Sequence, residues 1–149
     1  MGKPWDTIVA ISDPEDRRSL AKILGQLGID AMCVGTLGQC RELLDKGEVG
    51  LVFSSEYFPD GDFRALLTAS QARKLGPSVI VTSPRIRKRP PEAIQLGALD
   101  VIGVPFRPTD VEWAVIKASR GREALAETKL ASPLVSPANR FESFARHAS

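Results

Sequence analysis

The residues whose types could do chemistry gather at a few places in this chain. Ser54 and Ser55 end an apolar run, Leu51-Val52-Phe53, and are followed by Glu56, Asp60 and Asp62. A serine hydroxyl at such a strand end attacks a substrate only with a general base beside it. The single histidine, His147, lies near the end of the sequence, and neither serine sits in a Gly-x-Ser-x-Gly elbow, which excludes ordinary hydrolase chemistry. Glu56, Asp60 and Asp62 lack the ligand spacing of a calcium loop and read as turn and cap residues, with Asp62 capping the next helix. Gly25-x-x-Gly28 and Gly35-x-x-Gly38 fall short of a phosphate fingerprint. Cys33, Cys40 and one histidine are too few for zinc, so the cysteines read as reduced thiols at or near a core. The sequence therefore predicts no cofactor, no metal and no enzymatic activity.

The other chemical feature is cationic. Arg85, Arg87, Lys88 and Arg89 place four cations in five residues, directly before Pro90 and Pro91. Such a loop can hold an acidic partner or a phosphate-bearing ligand through charge-assisted hydrogen bonds. It could also touch nucleic-acid backbone, but a net charge of +2 over 149 residues and a pI near 8.7 argue against nucleic acid as the main partner.

These residues must be positioned by the elements around them. Thr7–Ile11 is a short β-branched run suited to a strand buried on both faces. Asp13 and Pro14 then start a helix whose Leu20, Ile23, Leu24 and Leu27 recur at helical spacing. Ala31–Val34 is a second strand, and Thr36 caps a helix with Leu37, Cys40, Leu43 and Leu44 on one stripe. The Leu51 run is a third strand leading into a Pro59-Asp60-Gly61 turn and a helix from Phe63. Ser78–Thr82 is a fourth strand, Pro91–Leu96 a short helix stopped by Gly97, and Asp100–Val104 a fifth strand. Thr109 and Glu112 form a capping box for the last helix, with Val111, Val115 and Ala118 on its inner stripe. Trp113 is out of phase with that stripe; it either covers the helix edge or stands exposed as a partner's anchor.

Five strands alternating with five helices on short loops predict an α/β fold, a parallel sheet with helices on both faces. The hydrophobic content of 43% fills one core. The ordered domain is expected over 5–122, with 123–149 a flexible or loosely docked tail carrying Phe141 and Phe144. No run reaches signal-peptide or membrane-span length, so a cytoplasmic protein is expected.

Four pieces together resemble the receiver domain of two-component response regulators, the CheY-like family. They are Asp13-Pro14-Glu15-Asp16-Arg17, Ser55-Glu56-Tyr57-Phe58-Pro59 with Asp60-Gly61, Val81-Thr82-Ser83, and Gly97-Ala98-Leu99-Asp100 through Val104-Pro105-Phe106. The resemblance covers about residues 5–120 and implies a flavodoxin-like (βα)5 sandwich with sheet order 2-1-3-4-5, an order the receiver family itself exemplifies. It also implies where the family's chemistry would stand. The phosphoryl-accepting aspartate falls on Ser55, and the acidic metal-binding pair on Ile11 and Ser12, or on Ser12 and Asp13. The phosphoryl-pairing lysine falls on Val104, the switch hydroxyl on Thr82 and the switch aromatic on Val101. Acceptor, acidic pair and lysine are thus missing together, which makes the chain resemble a pseudo-receiver; the alternatives are a phosphorelay receiver with an unusual acceptor site and a nucleic-acid accessory protein using Arg85–Arg89. Family analogy further implies a protein partner (another receiver, a kinase or an effector) on the face of fourth helix, fifth strand and fifth helix, with a homodimer as one form. Arg85, Arg87, Lys88, Arg89 and Trp113 are the candidate contacts there.

Overall fold

The computed structural model describes residues 6–73, 76–84 and 92–130, with side chains through Gly121. The expected cationic contacts Arg85–Arg89, and Phe141 and Phe144, lie outside these residues. The chain divides into two units, residues 1–118 and 119–149.

The first unit holds a five-stranded parallel sheet built from β1 (Asp6–Ala10), β2 (Ala31–Val34), β3 (Val49–Ser55), β6 (Ser78–Ser83) and β7 (Asp100–Gly103). Its order is β2-β1-β3-β6-β7, the expected 2-1-3-4-5 once strands are counted within the sheet. β3 sits at its centre and is buried along its whole length, as an apolar strand covered on both faces must be.

The helices are α1 (Pro14–Gln26), α2 (Leu37–Lys46), α3 (Phe63–Gln71), α4 (Glu92–Gln95) and α5 (Pro108–Leu130). Strand alternation divides the apolar residues between two layers. Ile8, Val52, Val79 and Val81 pack with Leu37, Cys40, Phe63 and Leu66 on one face. Val9, Leu51, Phe53, Ile80 and Ile102 pack with Leu20, Leu24, Val111 and Ala118 on the other.

Three of the predicted caps are present. Asp13 accepts from the Asp16 N–H, Thr36 from the Gln39 N–H and Asp62 from the Arg64 N–H. Gly97, at φ +116°, lies just past α4, a conformation that favours glycine.

Three details differ from the sequence reading. The Pro59-Asp60 turn is flanked by a two-residue hairpin, β4 (Tyr57–Phe58) with β5 (Gly61–Asp62), which is too short to leave a sequence period. α5 begins at Pro108, one residue before the expected cap at Thr109; proline's fixed φ suits the first helical position. α5 also continues through Gly121 to Leu130, into the stretch read from sequence as tail. The following Glu-Ala-Leu-Ala-Glu run consists of strong helix formers, and one glycine costs only about 1 kcal/mol in a helix interior.

Candidate functional site

At the carboxyl ends of β1, β3 and β6, side chains that could react are instead engaged by backbone groups or by one another. The Ser12 N–H donates to Ser55 Oγ at 2.9 Å, tying the start of the β1–α1 loop to the end of β3. Ser12 Oγ itself donates to the Tyr57 carbonyl at 3.1 Å. Ser54 is fully buried and its hydroxyl donates to the Ser55 carbonyl. Thr82, paired with Ser55 across the ladder, directs its hydroxyl at the Ser54 carbonyl over 3.4 Å. Ser83 Oγ donates to Glu56 Oε1 at 3.0 Å, and the Ser83 carbonyl accepts from the Val104 N–H. Buried hydroxyls cost stability unless paired, and those at this end are paired.

The loop after β1 offers little negative charge to the centre. Ile11 is a core residue whose carbonyl accepts from Arg17 Nη1 at 2.8 Å. Asp13 is exposed and engaged as the N-cap of α1. Asp16, two residues into the helix beyond Pro14, has its pKa raised, first by burial and then by Asp13 and Glu15. Among the described residues, no group of three or more His, Cys, Asp or Glu side chains could hold a metal ion.

A loop contact invisible in the sequence braces this end. Asp60 accepts from the N–H groups of Leu37 and Gly38, each at 3.0 Å, across the positive end of α2. Those two bonds, Leu37 first, hold its carboxyl below the usual carboxylate range. The interaction spans 23 residues, so no local motif could reveal it.

The other prominent feature is open. A groove of about 720 Å³ runs along β7 and the start of α5, lined by Val101, Val104, Pro105, Arg107, Asp110 and Trp113 among others. Trp113, one of the residues lining this groove, is 57% exposed. Val101 is buried and Val104 half-buried beside it, next to the cis Val104–Pro105 peptide. The structure therefore gathers Val101, Val104 and Trp113 into this groove, and Ser12, Ser55 and Thr82 into the hydroxyl cluster.

Comparison with known proteins is one-sided. No protein-family model and no curated protein matches the sequence. Solved structures do match. The signal receiver domain of an HD domain-containing protein from Pseudomonas fluorescens Pf-5 superposes with a TM-score of 0.72 at 17% identity, over 85% of this chain and 95% of that one. The fold is that of a response-regulator receiver domain. The receiver domain of NtrX from Brucella abortus gives a TM-score of 0.67 at 23% identity, over 76% of this chain and 97% of that one. The receiver domain of a Luxo repressor protein from Vibrio parahaemolyticus gives 0.71 at 16%, over 82% and 96%. Among the described residues, no helix is long and apolar enough to cross a membrane.

Proposed function

We propose that this receiver-fold chain is a signalling module without phosphoryl transfer, a pseudo-receiver that acts by protein–protein contact. The observation that carries the reading is the engagement of Ser55. In the receiver family the corresponding position supplies an ionised carboxylate as nucleophile; here it is a buried hydroxyl already accepting from the Ser12 N–H. A hydroxyl needs a base to become nucleophilic. The nearest acidic side chain along the chain, Glu56, is engaged with Ser83.

The divalent cation of the family does not fit these residues either. Such an ion seeks carboxylate oxygens. Ile11 offers an apolar side chain and a carbonyl occupied by Arg17, Ser12 is bonded to Tyr57, and Asp13 is spent on α1. Val104 offers no charge to a transferred group. No catalytic step is assigned to this end of the sheet.

The partner surface in this reading is the β7–α5 groove. Trp113 supplies a large amphipathic anchor, Val101, Val104 and Pro105 an apolar floor, and Arg107 and Asp110 a charged rim. By their charge alone, Arg85, Arg87, Lys88 and Arg89 are candidate contacts for an acidic protein partner.

Two measurements test the reading. Incubation with Mg²⁺ and acetyl phosphate is expected to leave the intact mass unchanged; a near-stoichiometric gain of one phosphoryl group overturns it. A protein from the native host retained by the chain is expected to be lost with Trp113→Ala, and its undiminished retention removes the groove from the interface.

A further inference from the structure

Helix α4 is attached to the sheet differently from the three helices before it. Those helices bury large apolar side chains: Leu20 and Leu24 on α1, Leu37 and Leu44 on α2, Phe63, Leu66 and Leu67 on α3. α4 has four residues and buries only Ala93, with Ala98 buried just beyond its end. Its larger apolar side chains, Ile94 and Leu96, are 47% and 41% exposed. Apolar stabilisation scales with the area removed from water, and two alanine methyls remove little. A helix this short does not hold itself together either, because its nucleation is unfavourable.

Polar ties to α3 stand at both ends of α4. At its start, Arg64 Nη2 donates to both Glu92 carboxylate oxygens at 2.8 Å. The guanidinium is set in place by its own helix. Nη1 donates to Asp62 Oδ2 at 3.0 Å, and the guanidinium carbon lies 5.0 Å from the centroid of the Phe63 ring. Past the end of α4, Gln71 Nε2 donates to the Leu96 carbonyl at 3.0 Å. Gly97 leaves room for that bond, since a Cβ there would collide with Gln71 Nε2. Both ties are exposed to water. The Arg64 and Glu92 side chains are 46% and 58% exposed, so their ion pair is weak and screened by salt.

We infer that α4 is a strap that opens as a unit while the sheet stays folded, with the Arg64–Glu92 ion pair as the buckle that sets how often it opens. Ala93 and Ala98 belong to the same apolar layer as Val79, Val81 and Val101. Opening uncovers this side of β7, and Val101 also lines the groove beside Trp113. A carboxylate from outside the chain can take the place of Glu92, because Asp62 and Phe63 keep the guanidinium in position when Glu92 leaves. The strap thereby gives an acidic partner a means of reshaping the groove. That consequence rests on the groove being the partner surface, whereas the opening itself does not.

Amide hydrogen exchange followed by NMR tests the strap residue by residue. The N–H groups of Leu96, Gly97 and Ala98 are bonded to the Glu92, Ile94 and Ala93 carbonyls, whereas that of Leu99 is bonded to the Val79 carbonyl on β6. The three strap amides are expected to exchange at least about tenfold faster than Leu99. Their rates are expected to stay flat in urea up to about 1 M while that of Leu99 rises, because opening a strap exposes little surface. Glu92→Gln removes the charge and keeps an acceptor; it is expected to speed the strap amides about two- to five-fold, and Arg64→Met to do the same. Raising NaCl from about 0.05 to about 1 M is expected to speed them in the parent and in neither variant. Strap amides as slow as Leu99, or rising with urea in parallel with it, overturn the inference. Rates unmoved by both substitutions, or a salt response that persists in both variants, remove the ion pair as the buckle. These measurements involve no partner, so failure of the strap is distinct from failure of the groove reading, which the Trp113→Ala retention experiment decides.

Discussion

The end of β3 and the groove beside β7 belong to one sheet but solve opposite problems. At β3 every polar group brought into the interior is matched by a neighbour: Ser55 by Ser12, Ser54 by its own next carbonyl, Ser83 by Glu56. At β7 a tryptophan and a proline are left facing solvent over an open hollow. Burying an indole typically stabilises a domain, so its exposure in a 149-residue chain is the unusual choice. The β3 end is closed by its own hydrogen bonds, whereas the β7 side presents an open groove, the surface assigned to a partner in the proposed reading. This difference moves attention from the strand end where a receiver fold carries its chemistry to the strand edge where this chain leaves apolar surface uncovered.

The comparison can be broken most forcefully at β3. Phe53 is fully buried among Leu20, Leu24 and Ile80. Phe53→Ala is expected to cost about 3–5 kcal/mol, by transfer and cavity terms together, in urea unfolding. A loss under ~1 kcal/mol would mean that the centre of the sheet is loosely packed and that β3 is less structural than claimed. Next comes the hydroxyl network. Ser83→Ala leaves a half-buried Glu56 carboxylate without this donor, and a loss of about 1 kcal/mol is expected. If Ser83→Ala were neutral, the Glu56–Ser83 bond would not be among the ties that close this end.

Asp60 sharpens the same contrast through pH. Its folded-state pKa is depressed by two helix N–H groups, with Leu37 the larger cause. The stabilisation it supplies is therefore present above its unfolded pKa, near 3.9, and is lost as pH falls through the lower folded value. Asp60→Asn is expected to unfold at a lower denaturant concentration than the parent at pH 7, with the gap closing as pH falls below the unfolded carboxylate value. A gap that does not change with pH would show that the charge on Asp60 does not hold α2 to the β3–α3 loop.

Much of this architecture was legible in the residues. Asp13-Pro14, Thr36 and Asp62 announce helix starts because capping is a local interaction over three residues. The β-branched runs of β1 and β6 and the apolar run of β3 announce buried parallel strands for the same local reason. The placement of Ser55 at the end of β3 and of Val104 just past β7 was likewise readable, from the apolar runs and prolines around them. What was hidden depends on distance along the chain. Asp60 reads as a turn residue until α2 is seen above it, and Arg17 as a surface cation until its guanidinium is found on the Ile11 carbonyl. The thiols, expected at or near a core, divide in the same way. Burial pushes Cys40 up to about 12, while Cys33 lies exposed on an edge that only the sheet order reveals.

The smallest expected effect on stability is the most informative about the groove. Trp113 is 57% exposed, and its neighbours on α5, Val111, Ala114 and Val115, already seal that face of the sheet. Truncating it removes little packing, so Trp113→Ala is expected to shift unfolding by no more than about 0.5 kcal/mol, the range of ordinary surface substitutions. A loss of 2 kcal/mol or more, closer to that of a core residue, would mean that the indole seals the groove instead of offering it. The two halves of the comparison then separate by their signatures. Damage at β3 should lower stability and impair contact together, since a loosened sheet presents no fixed surface, whereas damage at Trp113 should remove contact and leave the midpoint in place. That divergence is what distinguishes an anchor kept for a partner from a core residue that happens to reach the surface.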